Sequence, residues 1–281
     1  MRDQAAQLRE MARKRQQHQP QWQEGKARYI VVSSAKGGVG KSFVALTMAE
    51  YYARTGASVL LIDANLHTPA LHILTNMTPE FSVQDMLAYR VDEEQLIFTV
   101  LPENIQLLAN EGGTQLTTRP SLDNAMFFLE QIHPLRRVFD VIIFDTHTGL
   151  DSWNLSLLQA AQTVLFVVSP EPTAIIDSYL LVKAAHEFVA IHKFYLLVNQ
   201  TLTADQGKEA ASKLNMALSH FLDIELSIAG ALPFNLSIRK LMQEQVFPFT
   251  PHLKGKLNEQ IKQIWENLPE IAKSSNKEVA I

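Results

Sequence analysis

Apolar residues in this chain fall into short dense runs, and from residue 29 almost to the end these runs alternate with longer amphipathic stretches. The dense runs suit strands buried on both faces: residues 29–33, 58–62, 105–109, 138–144, 163–168, 194–198 and 227–232. Between them, apolar positions recur every three to four residues, which predicts helices over 42–54, 122–133, 173–190, 205–220 and 237–243. A last helix is expected from about residue 252 to 268, with Pro269 helping to stop it. Strand and helix in alternation predict an α/β fold: a doubly wound, mainly parallel sheet of about seven to eight strands flanked by helices. Ligands of such sheets bind at the carboxyl ends of the strands.

The alternation fails at both ends. Residues 1–28 are polar, rich in Gln and interrupted at Pro20. A helix over 3–17 is expected there, with Asp3 as its cap or first-turn acid. Its apolar content is a narrow stripe, Ala5, Leu8, Met11 and Ala12, too thin to hold a helix alone and suited to folding on a partner. The chain therefore divides into an extension (1–28), a domain (29–270) and a tail, read as flexible (271–281).

Charge and composition narrow the picture. The 281 residues carry a formal net charge of −4. The first 28 hold seven Arg/Lys against three acids, locally +4, which leaves −8 for the rest and no basic field for nucleic acid. No cysteine is present, which excludes disulfides and thiolate metal sites and is compatible with a cytoplasmic location. No apolar stretch of 18 residues and no apolar N-terminal region is found, so neither a membrane span nor a secretory signal is expected.

The candidate chemistry lies between the first strand and the first helix, where Lys36-Gly37-Gly38-Val39-Gly40-Lys41-Ser42-Phe43 stands. A glycine-rich turn entering a helix aims backbone N–H groups and the positive end of the helix dipole at an anion. Lys41 is placed for the β- and γ-phosphates of a nucleotide and the Ser42 hydroxyl for Mg²⁺. Two acids, Asp63 and Asp145, follow apolar strands, as Mg²⁺-organising carboxylates do, and Gly149 is a candidate backbone donor to the γ-phosphate. Histidines 67, 72 and 147 lack metal-ligand spacing and are expected as loop or surface residues.

Lys36 goes beyond the ordinary phosphate-loop pattern. The segment resembles the deviant Walker A motif of the MinD/ParA class of ATPases. That resemblance implies ATP and Mg²⁺ as cofactors, Ser42, Asp63 and Asp145 as metal ligands, and catalytic roles for Lys36, Lys41 and Asp145. It also implies an ATP-bound homodimer in which Lys36 reaches the partner's nucleotide. Where that class carries Asp-x-Asp, this chain has Asp63-Ala64-Asn65. Asn65 would orient water without charge, and slow or absent hydrolysis is expected, the alternative being that orientation alone suffices, as a Gln does in some GTPases. Asn199 resembles the class's adenine-reading residue, and Pro233 lies in a segment like its Gly-x-x-Pro-x-Asp loop, with Asn235 in place of the acid; either Asn equally suits a turn.

Asp3-Gln4-Ala5-Ala6-Gln7-Leu8-Arg9 is similar to the DQAxxLR motif of the flagellar-number regulator family FlhG (FleN/YlxH), and the segment from Ser169 to Tyr179 to that family's PEPTxxxDAY. The resemblance implies stimulation of the signal-recognition-particle-type GTPase FlhF, with Asp3, Gln4, Leu8 and Arg9 at the contact. Flagellar switch-complex proteins or a flagellar transcription factor are further implied partners. Two rivals remain at this stage. Asp63 to His72 also resembles bacterial tyrosine kinases, although the tail lacks a tyrosine cluster; a ParA-type DNA partition ATPase is disfavoured by the acidic domain. Leu253, Leu257, Ile261, Ile264, Trp265 and Leu268 form one stripe with basic flanks, which suits either peripheral attachment at the inner face of the membrane or packing on the domain.

Overall fold

The computed structural model describes residues 27–88, 99–110, 121–253 and 255–269. The DQAxxLR segment, with Asp3, Gln4, Leu8 and Arg9, and the tail beyond 270 lie outside them.

Eight strands form one sheet: β1 (Arg28–Ser33), β2 (Val59–Ala64), β3 (Thr99–Leu101), β4 (Ile105–Leu108), β5 (Val141–Thr146), β6 (Thr163–Val168), β7 (Phe194–Thr201) and β8 (Ser227–Pro233). Their order is β3-β4-β2-β5-β1-β6-β7-β8. All neighbours are parallel except β3 and β4. The short antiparallel edge strand β3 was not expected from the sequence; it has three residues, too few to show a period. The expected strand at 138–144 begins instead at Val141. Val138 is exposed, and Asp140 turns the chain by accepting from the Ser58 N–H and hydroxyl.

The helices are α1 (Lys41–Arg54), α2 (Leu71–Leu74), α3 (Val83–Leu87), α4 (Leu122–Ile132), α5 (Ser152–Ala160), α6 (Pro172–His186), α7 (Ala204–Leu222), α8 (Leu236–Gln243) and α9 (Lys256–Glu266). Alternation along the strands feeds two cores. Tyr29 and Val31 of β1 join Phe144, Phe166, Phe128 of α4 and Trp153 of α5 on one face. Ile30 and Val32 join Leu61, Ile143, Phe43 and Leu46 of α1, and Trp265 of α9 on the other. A sheet buried on both faces is why its strands read as unbroken apolar runs. Helix α5 was not expected: six of its nine residues are buried, including Asn154 and Ser156, so it shows no clean amphipathic stripe.

The two readings of the last helix separate here. Ile261, Ile264 and Trp265 are buried, as are Leu253 and Leu268 on either side. Gly230 of β8 lets α9 approach, since a Cβ there would meet Ile264 Cγ1 at 2.6 Å. Burial of each such side chain stabilises by about 2 kcal/mol. The stripe is therefore committed to the domain.

The chain runs from β1 towards β2 on one side and later from β5 across β1 to β6 on the other. The carboxyl ends of β1, β2, β5 and β7 thus open onto a common crevice, the place where an open α/β sheet binds its ligand.

Candidate functional site

The phosphate loop follows β1 and leads into α1. Gly38 (φ 77°) and Gly40 (φ 91°) take left-handed conformations that other residues adopt only at a cost. Gly40 occupies the N-cap position without a side chain to offer, so the first N–H groups of α1 have no cap and face the crevice mouth. Ser34 organises the loop. Its hydroxyl donates to the Lys36 carbonyl (2.8 Å) and accepts from Lys41 Nζ (2.9 Å), while its carbonyl accepts the Gly149 N–H (2.9 Å). Gly149 is therefore attached to the phosphate loop rather than free.

Asn199, at the end of β7, is buried and donates its amide to the Val39 carbonyl (2.8 Å), and its oxygen accepts the Gln200 N–H (2.9 Å). Gln200 in turn donates to the Gly38 carbonyl (2.9 Å). A side chain on Gly40 would collide with the Asn199 amide. Asn199 thus supports the phosphate loop, and its amide is occupied by that task instead of open for a base. Pro233 ends β8 at the neighbouring strand terminus, and the following Phe234 donates its N–H to the Thr201 carbonyl. Asn235 is a helix cap that accepts from the Ser237 and Ile238 N–H groups.

The two carboxylates among the expected metal ligands differ. Asp63 and Asp145 are partners across the β2–β5 register, both fully buried. Asp63 accepts three backbone bonds, from the N–H groups of Asn65 (3.2 Å), Ala70 (3.0 Å) and Leu71 (3.0 Å), and so holds its own loop. Neither oxygen of Asp145 has a hydrogen-bond partner, although the Ser42 hydroxyl and the Lys41 ammonium stand near enough to favour its charge. Burial pushes its carboxyl up to about 6 against that pull. Burial and the adjacent Asp145 also raise Asp63, opposed by its three N–H donors. Lys41 is lowered by burial and partly restored by Asp145. A crowded pair of buried carboxylates beside one lysine is a site short of positive charge.

Asn65 does not face this site with a free amide. Its nitrogen donates to the Thr68 carbonyl (2.7 Å) and hydroxyl (3.2 Å), and its oxygen accepts the N–H groups of His67 (3.2 Å) and Thr68 (2.9 Å). The expected water-orienting residue is spent on the loop that carries it.

Lys36 points away from its own loop to Glu171 Oε2 (3.4 Å) and Thr173 Oγ1 (3.2 Å), just before and at the start of α6. Glu171 is held low chiefly by the Ser169 hydroxyl, with Lys36 contributing. These contacts give the Ser169–Thr173 segment a physical role that its motif alone did not disclose. His67 and His147 lie in loops, as expected, whereas His72 falls within α2 and is half-buried. His67 is exposed but His147 is buried, and the fold brings their rings to 4.7 Å, with Asp151 Oδ2 at 2.9 Å from His147 Nε2. Their separation of 80 positions in sequence hid this.

The family described as AAA domain matches residues 27–192. The antiactivator FleN of Pseudomonas aeruginosa is 30% identical over 230 residues, 81% of this chain and 82% of FleN. This chain belongs to the MinD/ParA family of P-loop ATPases. The flagellum site-determining protein YlxH of Helicobacter pylori is 22% identical, over 79% of this chain and 75% of YlxH. Among solved structures, MinD of Pyrococcus horikoshii complexed with Mg-ADP superposes with a TM-score of 0.71 at 20% identity, covering 85% of this chain and 95% of that one. At that identity the likeness carries the fold, and the doubly wound architecture expected from sequence is the one this MinD/ParA-family member has.

Proposed function

We propose that this chain is an ATP- and Mg²⁺-binding regulator of flagellar number and placement that dimerises when ATP-bound. The observation that carries the nucleotide reading is the pairing of an uncapped, glycine-built helix N-terminus with a buried Asp145 that accepts no hydrogen bond and has Ser42 and Lys41 beside it. Ser42 and Asp145 would hold Mg²⁺, which when bound neutralises phosphate charge. Lys41 would release Ser34 to bind phosphate oxygens, and the N–H groups of Gly40 and Lys41 would receive the same anion. Asp63 would order the loop after β2. The regulatory part of the reading rests on likeness to FleN and YlxH.

In the dimer, Lys36 would leave Glu171 for the partner's nucleotide. An exposed ion pair is worth about 0–1 kcal/mol, so the cis contact is easily exchanged for a phosphate. Turnover is slow, because Asn65 is uncharged and engaged with Thr68. Asp3, Gln4, Leu8 and Arg9 would stimulate a signal-recognition-particle-type GTPase of the FlhF kind, and switch-complex proteins or a flagellar transcription factor are the further partners. The proposed place of work is the cytoplasm. With the stripe of α9 turned inward, any peripheral contact with the membrane would use other residues.

Sedimentation with ATP and Mg²⁺ tests the dimer: Lys36→Ala should remain monomeric while still binding nucleotide, and an ATP-dependent dimer in that variant would refute the trans role. The activator role is tested by GTP turnover of an FlhF-type GTPase with the full chain or with Gln4→Ala; no stimulation by the full chain would exclude that role, and equal stimulation by both would exclude the Gln4 contact.

A further inference from the structure

We propose that His67, His147 and Asp151 form a binding site for a divalent transition-metal ion of the zinc class, set between the loop after β2 and the loop after β5. Each residue offers one ligand atom, and these atoms all lie within 4.8 Å of one another. The His147 Nε2–Asp151 Oδ2 separation of 2.9 Å is close to that of two ligands on one tetrahedral ion, about 3.3 Å for bonds of about 2.0 Å. His67 closes the remaining gap by rotating an exposed side chain, its ring standing edge-on to His147 at an interplanar angle of 77°.

The supporting residues fix the other two ligands in place. Asp151 divides its carboxylate: Oδ1 caps α5 through the Asn154 N–H (2.8 Å), which leaves Oδ2 turned to the ring. The Asn154 amide clamps the His147 and Gly149 carbonyls (3.0 and 2.8 Å), and the Trp153 indole donates to the Ala64 carbonyl (3.0 Å), tying α5 to the end of β2. Ligands held by such a shell need little reorganisation to receive an ion.

Ligand chemistry separates this site from the Mg²⁺ position. Two imidazoles and one carboxylate favour Zn²⁺, Co²⁺, Ni²⁺ or Cu²⁺, whereas Mg²⁺ prefers the hard oxygens of Asp145 and Ser42. A bound ion would join the loop carrying Asn65 to the loop carrying Gly149, on either side of the two buried acids. Three ligands leave a fourth position for water or a partner's side chain.

The test is titration of the tag-free, chelator-stripped full chain with Co²⁺, followed by its visible d–d absorption and by displacement with Zn²⁺. One Co²⁺ per chain with tetrahedral bands is expected, and at least tenfold weaker binding in His67→Ala and in Asp151→Asn. His67 is exposed, so its loss leaves the fold intact. Asp145→Asn should keep the bands. Absence of the bands, bands unchanged in His67→Ala, or bands lost only in Asp145→Asn would each overturn the site.

Discussion

The loops after β1 and after β2 leave neighbouring regions of the same sheet in opposite conditions. The phosphate loop is held from outside, by Asn199, Gln200 and Gly149, and leaves its helix N-terminus uncapped. The loop after β2 is held mostly from inside: Asp63 accepts three of its N–H groups and Asn65 forms four bonds within it, against two from outside, from Asn110 and, at the end of β2, Trp153. The first is built to receive a ligand and the second to keep its shape. A motif that looks catalytic by position, Asp63-Ala64-Asn65, is in this conformation largely structural.

Substitutions should divide along that line. Lys41→Ala should weaken nucleotide binding by about 100-fold in calorimetry, about 3 kcal/mol, as expected for a lost charge-assisted phosphate contact. Its melting temperature should change little. Asn65→Ala should do the reverse. Four lost bonds, two of them from backbone N–H groups left to water, should cost about 2 kcal/mol in chemical denaturation. Nucleotide affinity should stay within about threefold, since none of those bonds belongs to the cradle. Asn199→Ala sharpens the contrast from the supporting side: about 1 kcal/mol of stability should go, together with a several-fold loss of affinity as Val39 loosens.

The smallest effect is on pH. Asp145 has a folded-state pKa of about 6, above that of a free carboxylate, so its charge opposes folding of the ligand-free chain. Its contribution to stability is fully present below about pH 4 and is lost as pH rises through about 6. Thermal unfolding of Asp145→Asn should show a slightly higher melting temperature than the native chain at pH 7.5 and no difference near pH 4. Saturating Mg²⁺ and nucleotide should reverse the order at pH 7.5, because the free carboxylate then has a partner.

How legible the site was in the sequence follows from how local each signal is. Glycine spacing, Lys41 and Ser42 form one contiguous segment, and Thr163–Val168 is a buried strand whose bounds agree with the expected ones. Interactions between segments were hidden. The Lys36–Glu171 contact spans 135 positions and the Asn199–Val39 bond 160. Helix α5, with Asn154 and Ser156 on its buried side, lacked an amphipathic period because its polar residues serve internal hydrogen bonds. The last helix had the period, yet its stripe suited membrane and protein equally; the burial of Ile261, Ile264 and Trp265 and the approach allowed by Gly230 decide between them.

The engagement of Asn65 with its own loop should leave hydrolysis slow while nucleotide binding stays intact. Its most direct test is steady-state phosphate release with Mg²⁺-ATP from the native chain and from Asn65→Asp, measured beside nucleotide affinity. A carboxylate cannot donate to the Thr68 carbonyl and is repelled by it, so Asp at 65 should turn towards the site and raise turnover by about 100-fold, the lower reach of a positioned general base. Affinity should stay nearly constant. Brisk hydrolysis by the native chain, or turnover unchanged in Asn65→Asp, would contradict the claim.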